Sequence, residues 1–93
     1  MKTFAQKLAE LRTHHKVSQS ELADALNTYC RQQKKKLVFS REQIAQWETD
    51  MNLPNMERSL VLSAFFKVSL DVLFNQDIPL KKAKLIIKNF ILN

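Results

Sequence analysis

Two segments that start helices decide the fold: VSQSEL at residues 17–22 and FSREQIAQW at residues 39–47. Ser18 and Ser40 are each followed, three residues later, by a glutamate or a glutamine. This is the spacing of a capping box, in which each of the two side chains bonds to the backbone N–H of the other residue. Apolar residues flank both serines at the positions of a hydrophobic staple. The segments therefore predict two helices with fixed starts, joined by a long connection.

The composition favours one small helical domain. A chain of 93 residues is the size of a single domain, which usually has about 50–250 residues. It contains no glycine and two prolines, which suits helices with short connections better than tight hairpins. Apolar residues never form a run of about 18, so no membrane span is predicted. The single cysteine, Cys30, excludes an internal disulfide, and no metal, cofactor or catalytic set can be assembled from the sequence. A cytoplasmic protein that is not an enzyme is expected.

Cap residues along the chain predict an all-α fold with six helices. The second helix extends to about Gln33, because its apolar stripe continues and nothing ends it earlier. The helix starts are predicted at Thr3, Ser18, Ser40, Asn55, Ser69 and Pro79. For the fourth helix, the predicted core face is Met56, Leu60, Ala64 and Phe65.

The predicted C-terminal helix is apolar on more than one side. Its main stripe is wider than the roughly 100° of an ordinary surface helix, and further leucines lie opposite it. We therefore predict contact with a second subunit, although the segment could instead only cover its own core. The residues predicted to form this dimer contact are Leu85, Ile86, Phe90 and Leu92.

Positive charge is clustered within the net charge of +6. One cluster lies in the long connection, at Arg31 and Lys34–Lys36, and another near the C-terminus. Clustered lysine and arginine favour a polyanionic partner such as nucleic acid. The alternative is that these side chains are simply hydrated.

Three segments together resemble the repressor-type (Cro/C1-type, XRE-like) helix-turn-helix family of bacteria and phages. They are LAELRTHHKVSQSELADALN, FSREQIAQWE and LPNMERSLVLSAFFKVSLDVLF, and they cover roughly residues 4–74. The resemblance implies a five-helix DNA-binding domain over residues 1–76, followed by a C-terminal amphipathic helix over residues 77–93. The chain is most similar to temperate-phage repressors with an enlarged connection, since about eleven extra residues, at about 28–38, follow Asn27.

The resemblance implies that the third helix enters the major groove of DNA. The side chains expected to contact bases are Arg41, Glu42, Gln43 and Gln46. Arginine can bond to guanine, glutamine to adenine and glutamate to cytosine. Two of them have plain alternatives: Glu42 complements the positive end of the helix, and Gln43 can be occupied by the capping box.

Phosphate contacts are expected on both sides of the third helix. The predicted set is Ser18, Gln19, Ser20, Lys34, Lys35, Lys36 and Asn52. The N-terminus of the second helix favours an anion through its free amides, although Ser18 could act only as a cap. The resemblance also implies a structural ion pair between Arg12 and Glu48.

These inferences predict a sequence-specific transcriptional regulator. The expected partner is a double-stranded DNA operator, bound by a homodimer of a phage or mobile-element repressor. One alternative is an antitoxin or interaction module of the same fold, with a toxin or an antirepressor as its protein partner. Another is a protein that binds nucleic acid without sequence preference.

Overall fold

The computed structural model describes residues 2–80, which form five α-helices and no strand within that range. The helices are α1 (Phe4–His14), α2 (Gln19–Gln32), α3 (Arg41–Glu48), α4 (Met56–Phe66) and α5 (Leu70–Phe74). The all-α prediction is confirmed for these residues. The predicted sixth helix, with Leu85, Ile86, Phe90 and Leu92, lies outside them.

The helices begin where their cap residues predict. Thr3, Ser18 and Ser40 each form a complete capping box with the residue three positions later. Asn55 and Ser69 cap α4 and α5, because each side chain accepts a bond from the backbone N–H three residues on. Each cap satisfies amides that a helix start would otherwise leave without a partner. Local chemistry therefore fixes the start of α3, which the long connection precedes.

Four helices end on a left-handed residue that is not glycine. Lys16, Lys34, Asp50 and Lys67 have φ angles between 57° and 61°. In each case the next residue donates its N–H to a carbonyl five residues earlier, as Lys35 does to Cys30 at 2.8 Å. This is the bond of a Schellman motif, which usually has glycine at the left-handed position. A left-handed conformation costs an L-residue about 1–2 kcal/mol. Each of these four positions is therefore more strained than it would be with glycine.

The predicted core face of α4 is wrong for three of its four residues. Met56 is 65% exposed, Leu60 is 51% exposed and Ala64 is also exposed, while Phe65 is buried as predicted. The helix is apolar on two sides, and the core contains the side that bears Val61, Leu62, Phe65 and Phe66. Burying the side with two phenylalanines removes more apolar area from water than burying the side with Met56 and Leu60. The aromatic side therefore faces inward.

A buried lysine holds the segment after α5 against α1. Lys7 is 1% exposed, and its Nζ donates to the carbonyl oxygens of Val72, Asn75 and Ile78. Beside it, the rings of Phe4 and Phe74 are stacked with centroids 4.6 Å apart. A buried ammonium group without hydrogen bonds would be strongly destabilising, and here three carbonyls supply them. Nothing in the local pattern around Lys7 had singled it out.

Candidate nucleic-acid interface

Helix α3 has one buried side and one exposed polar side. Ile44 and Trp47 are buried, and the Trp47 ring packs edge-on against Phe39 with centroids 6.1 Å apart. Arg41 and Gln46 are exposed, as is Glu42. The helix is thus anchored by its apolar residues while most of its predicted base-contacting side chains face solvent.

Local hydrogen bonds occupy two of the predicted base-contacting side chains. Gln43 is half-buried, and its Oε1 accepts from the backbone N–H of Ser40 at 3.1 Å, completing the capping box. Gln46 Oε1 accepts from Asn52 Nδ2 at 3.0 Å, which ties the loop after α3 to the exposed side of the helix. An amide oxygen has two lone pairs and the amide nitrogen two protons, so both side chains retain bonding capacity.

The two charged candidates on α3 remain accessible. Arg41 Nη2 lies 3.7 Å from Glu42 Oε2, and both side chains are more than half exposed. An exposed pair at this distance contributes little to stability. Either side chain can therefore turn toward a ligand at small cost.

The C-terminal end of α3 is held by an ionic network, which contains the predicted ion pair. Arg12 donates from Nε to Glu48 Oε2 at 2.8 Å and from Nη2 to Oε1 at 3.0 Å. Gln19 Nε2 adds a bond to the same Oε1 at 3.1 Å, and Arg12 Nη1 donates to the Val17 carbonyl at 2.9 Å. The Arg12 and Glu48 side chains are 17% and 6% exposed. The bond to Glu48 raises the pKa of Arg12, opposed in part by burial, so the guanidinium stays charged.

The predicted phosphate-contacting residues of α2 lie in its first turn. Ser18 is exposed, but its Oγ accepts from the N–H of Glu21 at 3.0 Å. Ser20, the second residue of the helix, is exposed as well. Gln19 is half-buried and is directed toward Glu48 by its hydrogen bond. The first turn thus combines a capped start with one side chain that reaches across to α3.

The N-terminal end of α3 is held by a bond between an amide side chain and the backbone. Asn27 Nδ2 donates to the carbonyl of Phe39 at 2.9 Å, and the N–H of Phe39 donates to Asn27 Oδ1 at 2.7 Å. These two residues lie immediately before and after residues 28–38, which are the predicted insertion. We call this paired bond the amide clamp. It closes the base of the insertion directly before the cap of α3.

Arg58 of α4 also holds the N-terminal end of α3. Its Nη1 donates to the carbonyl of Val38 at 2.7 Å, and its guanidinium carbon lies 5.0 Å from the centre of the Phe39 ring. Sequence reasoning missed both Asn27 and Arg58. Asn27 is the last residue before the insertion interrupts the family resemblance, and this position could have indicated its role. Arg58 lies 20 residues from Val38 in sequence, and no local pattern connects the two.

The lysines of the insertion are fully available to a ligand. Lys34, Lys35 and Lys36 are exposed; Lys34 is the left-handed residue after α2, and the other two follow it. Lys35 and Lys36 line an open groove together with Asn27, Arg31, Leu37 and Val38. Along the chain, the three lysines lie just before Phe39, and the polar side of α3 comes just after it.

Comparison with known proteins identifies the family. A family model described as helix-turn-helix matches residues 8–73, which is most of the chain. The chain belongs to the helix-turn-helix family. The match is of the XRE type that the sequence predicted, and it confirms that the domain is a binding fold rather than an enzyme.

A curated helix-turn-helix protein is also similar. The chain is 35% identical over 72 residues to the HTH-type transcriptional activator BcrR of Enterococcus faecalis, covering 77% of this chain and 30% of that protein. The chain thus spans less than a third of the length of this relative. No solved structure matches.

Other features of the helix-turn-helix domain give no second chemistry. Cys30 is buried, and burial raises the pKa of its thiol, opposed by the charges of Lys35 and Arg58. A thiol in this state is a poor nucleophile. Between residues 2 and 80, no three His, Cys, Asp or Glu side chains come together as metal ligands. No helix in the same range is long and apolar enough to cross a membrane.

Proposed function

We propose that this chain is a sequence-specific DNA-binding transcriptional regulator that inserts α3 into the major groove. The observation that supports this most directly is the exposed polar side of α3, on a helix that is fixed at both ends. Binding DNA through such a helix requires little reordering, because its ends are already tied by the ionic network and the amide clamp.

Arg41 and Gln46 are the leading base-contacting residues of this proposal. An arginine can donate two bonds to guanine O6 and N7, and a glutamine can pair with adenine N6 and N7. The bond from Asn52 orients Gln46 and leaves its amide nitrogen free to donate. Glu42 can accept from cytosine, while Gln43 has a smaller share because its oxygen is engaged at the cap.

Phosphates on either side of the groove are the proposed ligands of the other predicted residues. Ser18, Ser20 and the free amides of the α2 start would meet one strand. Lys34, Lys35 and Lys36 would meet another phosphate group beyond the amide clamp, and Asn52 a third. Gln19 contributes mainly through its bond to Glu48, which aligns the start of α2 with the end of α3.

The regulator is proposed to act as a dimer on an operator with two half-sites about one helical turn apart. The similarity to BcrR, whose name describes a transcriptional activator, supports a role in transcription. The enlarged connection resembles that of temperate-phage repressors, so we propose repression in the cytoplasm by occlusion of polymerase. The alternative of an antitoxin with a toxin partner would appear as co-purification of a second small protein.

Selection of bound sequences from a random duplex pool tests the proposal. The expected result is a motif with two half-sites, bound at least about 10³-fold more tightly than a scrambled duplex. Equal affinity for the selected and the scrambled duplex would refute sequence-specific regulation.

A matched pair of arginine variants separates base reading from charge. Arg41→Ala should cost about 1–3 kcal/mol at the selected site and relax specificity at one base position. Arg31→Ala also removes an exposed arginine, but in the insertion, so it should weaken all duplexes by a similar factor. Identical specificity profiles for the two variants would contradict base reading by Arg41.

A further inference from the structure

An unusual apolar row lies on the outer side of α4. Met56, Leu60 and Ala64 are four residues apart, so they lie one above another on a single face of the helix. All three are exposed, although the opposite side of the same helix is buried in the core. We call this row the α4 stripe. Single exposed apolar residues are normal, whereas an aligned row of them marks a contact surface.

The α4 stripe continues into a shallow apolar groove. Leu53, which is 63% exposed, lines this groove together with Met56, and Leu70 and Phe74 of α5 lie on its other side. Leu53 and Pro54 also line a second, polar groove that contains Gln43, Gln46 and Asn52. The apolar surface therefore lies directly beside the polar side of α3.

The charges and side-chain sizes along α4 suit an antiparallel copy of the same helix. Pairing about a two-fold axis at Leu60 puts Met56 opposite Ala64 of the second copy, a large side chain against a small one. The same arrangement brings the end of α4 that bears Glu57 toward the end that bears Lys67, and both side chains are exposed. Antiparallel helices also place each positive helix end beside a negative one.

We propose that the α4 stripe binds a second copy of this chain, with the two α4 helices antiparallel and Leu60 at the two-fold axis. Such an interface uses the same patch on both subunits, as closed dimers do. It is distinct from the predicted contact through Leu85, Ile86, Phe90 and Leu92. Its role in reading two half-sites rests on the proposed function, because the interface would set the spacing of the two α3 helices.

Sedimentation of the full chain without DNA, over a dilution series, tests the interface. The wild type should dimerise, and Leu60→Glu should raise the dimer dissociation constant at least about tenfold, since two carboxylates would meet at the axis. Val38→Glu is the matched control, because it places the same charge on another exposed apolar side chain that is not part of the α4 stripe. Thermal melts of all three proteins verify that each is folded.

Disulfide formation tests the antiparallel register. Chains with Met56→Cys should crosslink with chains that bear Ala64→Cys, whereas each variant alone should crosslink much less. The natural Cys30 is buried and does not compete. Asp24→Cys, on an exposed part of α2, is the control for random collision.

Several outcomes would overturn the interface, and the first three concern the variants described above. They are a wild type that stays monomeric, a Leu60→Glu variant that dimerises as tightly as the wild type, and equal crosslinking of the mixed and single cysteine variants. If only substitution of the four predicted C-terminal residues dissolves the dimer, the α4 interface is also wrong. None of these measurements uses DNA, so loss of the proposed function would appear separately, as a failure to select any duplex.

Discussion

The two ends of α3 are held by unlike chemistry. At the C-terminal end, a largely buried arginine and glutamate form a charged network with Gln19. At the N-terminal end, the neutral side chain of Asn27 pairs with the backbone of Phe39. The ionic network joins three helices through side chains, whereas the amide clamp grips main-chain atoms.

This difference explains how the fold accommodates its insertion. A clamp on the backbone of Phe39 does not depend on the side chains of the exposed residues 31–36, so those residues can vary without moving α3. Tyr29, Cys30 and Leu37 of the insertion pack in or against the core and are not free in this way. An ionic network has no such tolerance, because each buried charge requires its partner. We therefore expect substitutions at the ionic end to lower stability more than substitutions at the clamped end.

The largest expected effect is on the ionic end. Glu48→Ala should lower the free energy of unfolding by about 3–5 kcal/mol, because the largely buried Arg12 would lose its carboxylate partner. Urea denaturation measures the decrease. Asp24→Ala, which removes an exposed carboxylate from the middle of α2, should change stability by less than about 0.5 kcal/mol.

A double variant shows whether charge is the cause. Arg12→Met combined with Glu48→Met should recover much of the stability that Glu48→Ala removes, since no unpaired charge remains. Similar decreases in Glu48→Ala and Asp24→Ala would contradict the contrast between the two ends.

The amide clamp should have the next largest effect. Asn27→Ala leaves the N–H and the carbonyl of Phe39 without these partners in a buried position, which should cost about 1–3 kcal/mol. The matched control is Asn52→Ala, since that asparagine bonds to an exposed side chain only. If both variants unfold at the same urea concentration, the clamp does not hold α3.

A smaller decrease in stability is expected for Arg58→Met. This variant removes the bond to Val38 and the interaction with the Phe39 ring, together worth about 1–2 kcal/mol. Arg31→Met is the control, because Arg31 is exposed and bonds to Thr28 on its own helix. If Arg58→Met lowers the free energy of unfolding no more than the control does, Arg58 does not stabilise the N-terminal end of α3.

The lysines of the insertion should affect DNA binding and leave stability unchanged. Replacing Lys34 by Asn, and Lys35 and Lys36 by Gln, should change the free energy of unfolding by less than about 0.5 kcal/mol. Asparagine is chosen for Lys34 because it tolerates the left-handed conformation. The slope of log affinity against log salt should become shallower by about 0.9 for each phosphate that the variant no longer neutralises.

Lys67→Asn is the control for the lysine variant. It changes another left-handed, exposed lysine, at the end of α4, and should leave the salt slope unchanged. An unchanged slope in the triple variant would show that Lys34–Lys36 do not contact phosphate. A large decrease in its stability would show that the insertion is not independent of α3.

Local chemistry made the helices predictable. Ser18 and Ser40 sit three residues from their capping partners, so both bonds of each box can be inferred from sequence alone. Asn27 and Arg58 could not be inferred in this way, because their partners depend on how the chain folds back. The Arg12–Glu48 pair spans 36 positions and was expected only through the family resemblance.

The error at α4 has a different origin. Both of its sides are apolar, so helical periodicity indicates two candidate core faces and cannot choose between them. The choice depends on what the rest of the fold presents to Phe65 and Phe66, and the ring of Phe65 lies against Tyr29 and Phe66. A prediction that summed side-chain area on each side would have selected the aromatic one.

The buried amine of Lys7 gives the molecule an internal chemical reporter. Acylating reagents attack free, accessible amines, and the Nζ of Lys7 is enclosed and hydrogen-bonded to three carbonyls. Exposed lysines such as Lys34 should be labelled at once, whereas Lys7 can react only when residues 72–78 lift away from α1. The rate at which Lys7 is labelled therefore measures how often this end of the domain opens, without any change to the sequence.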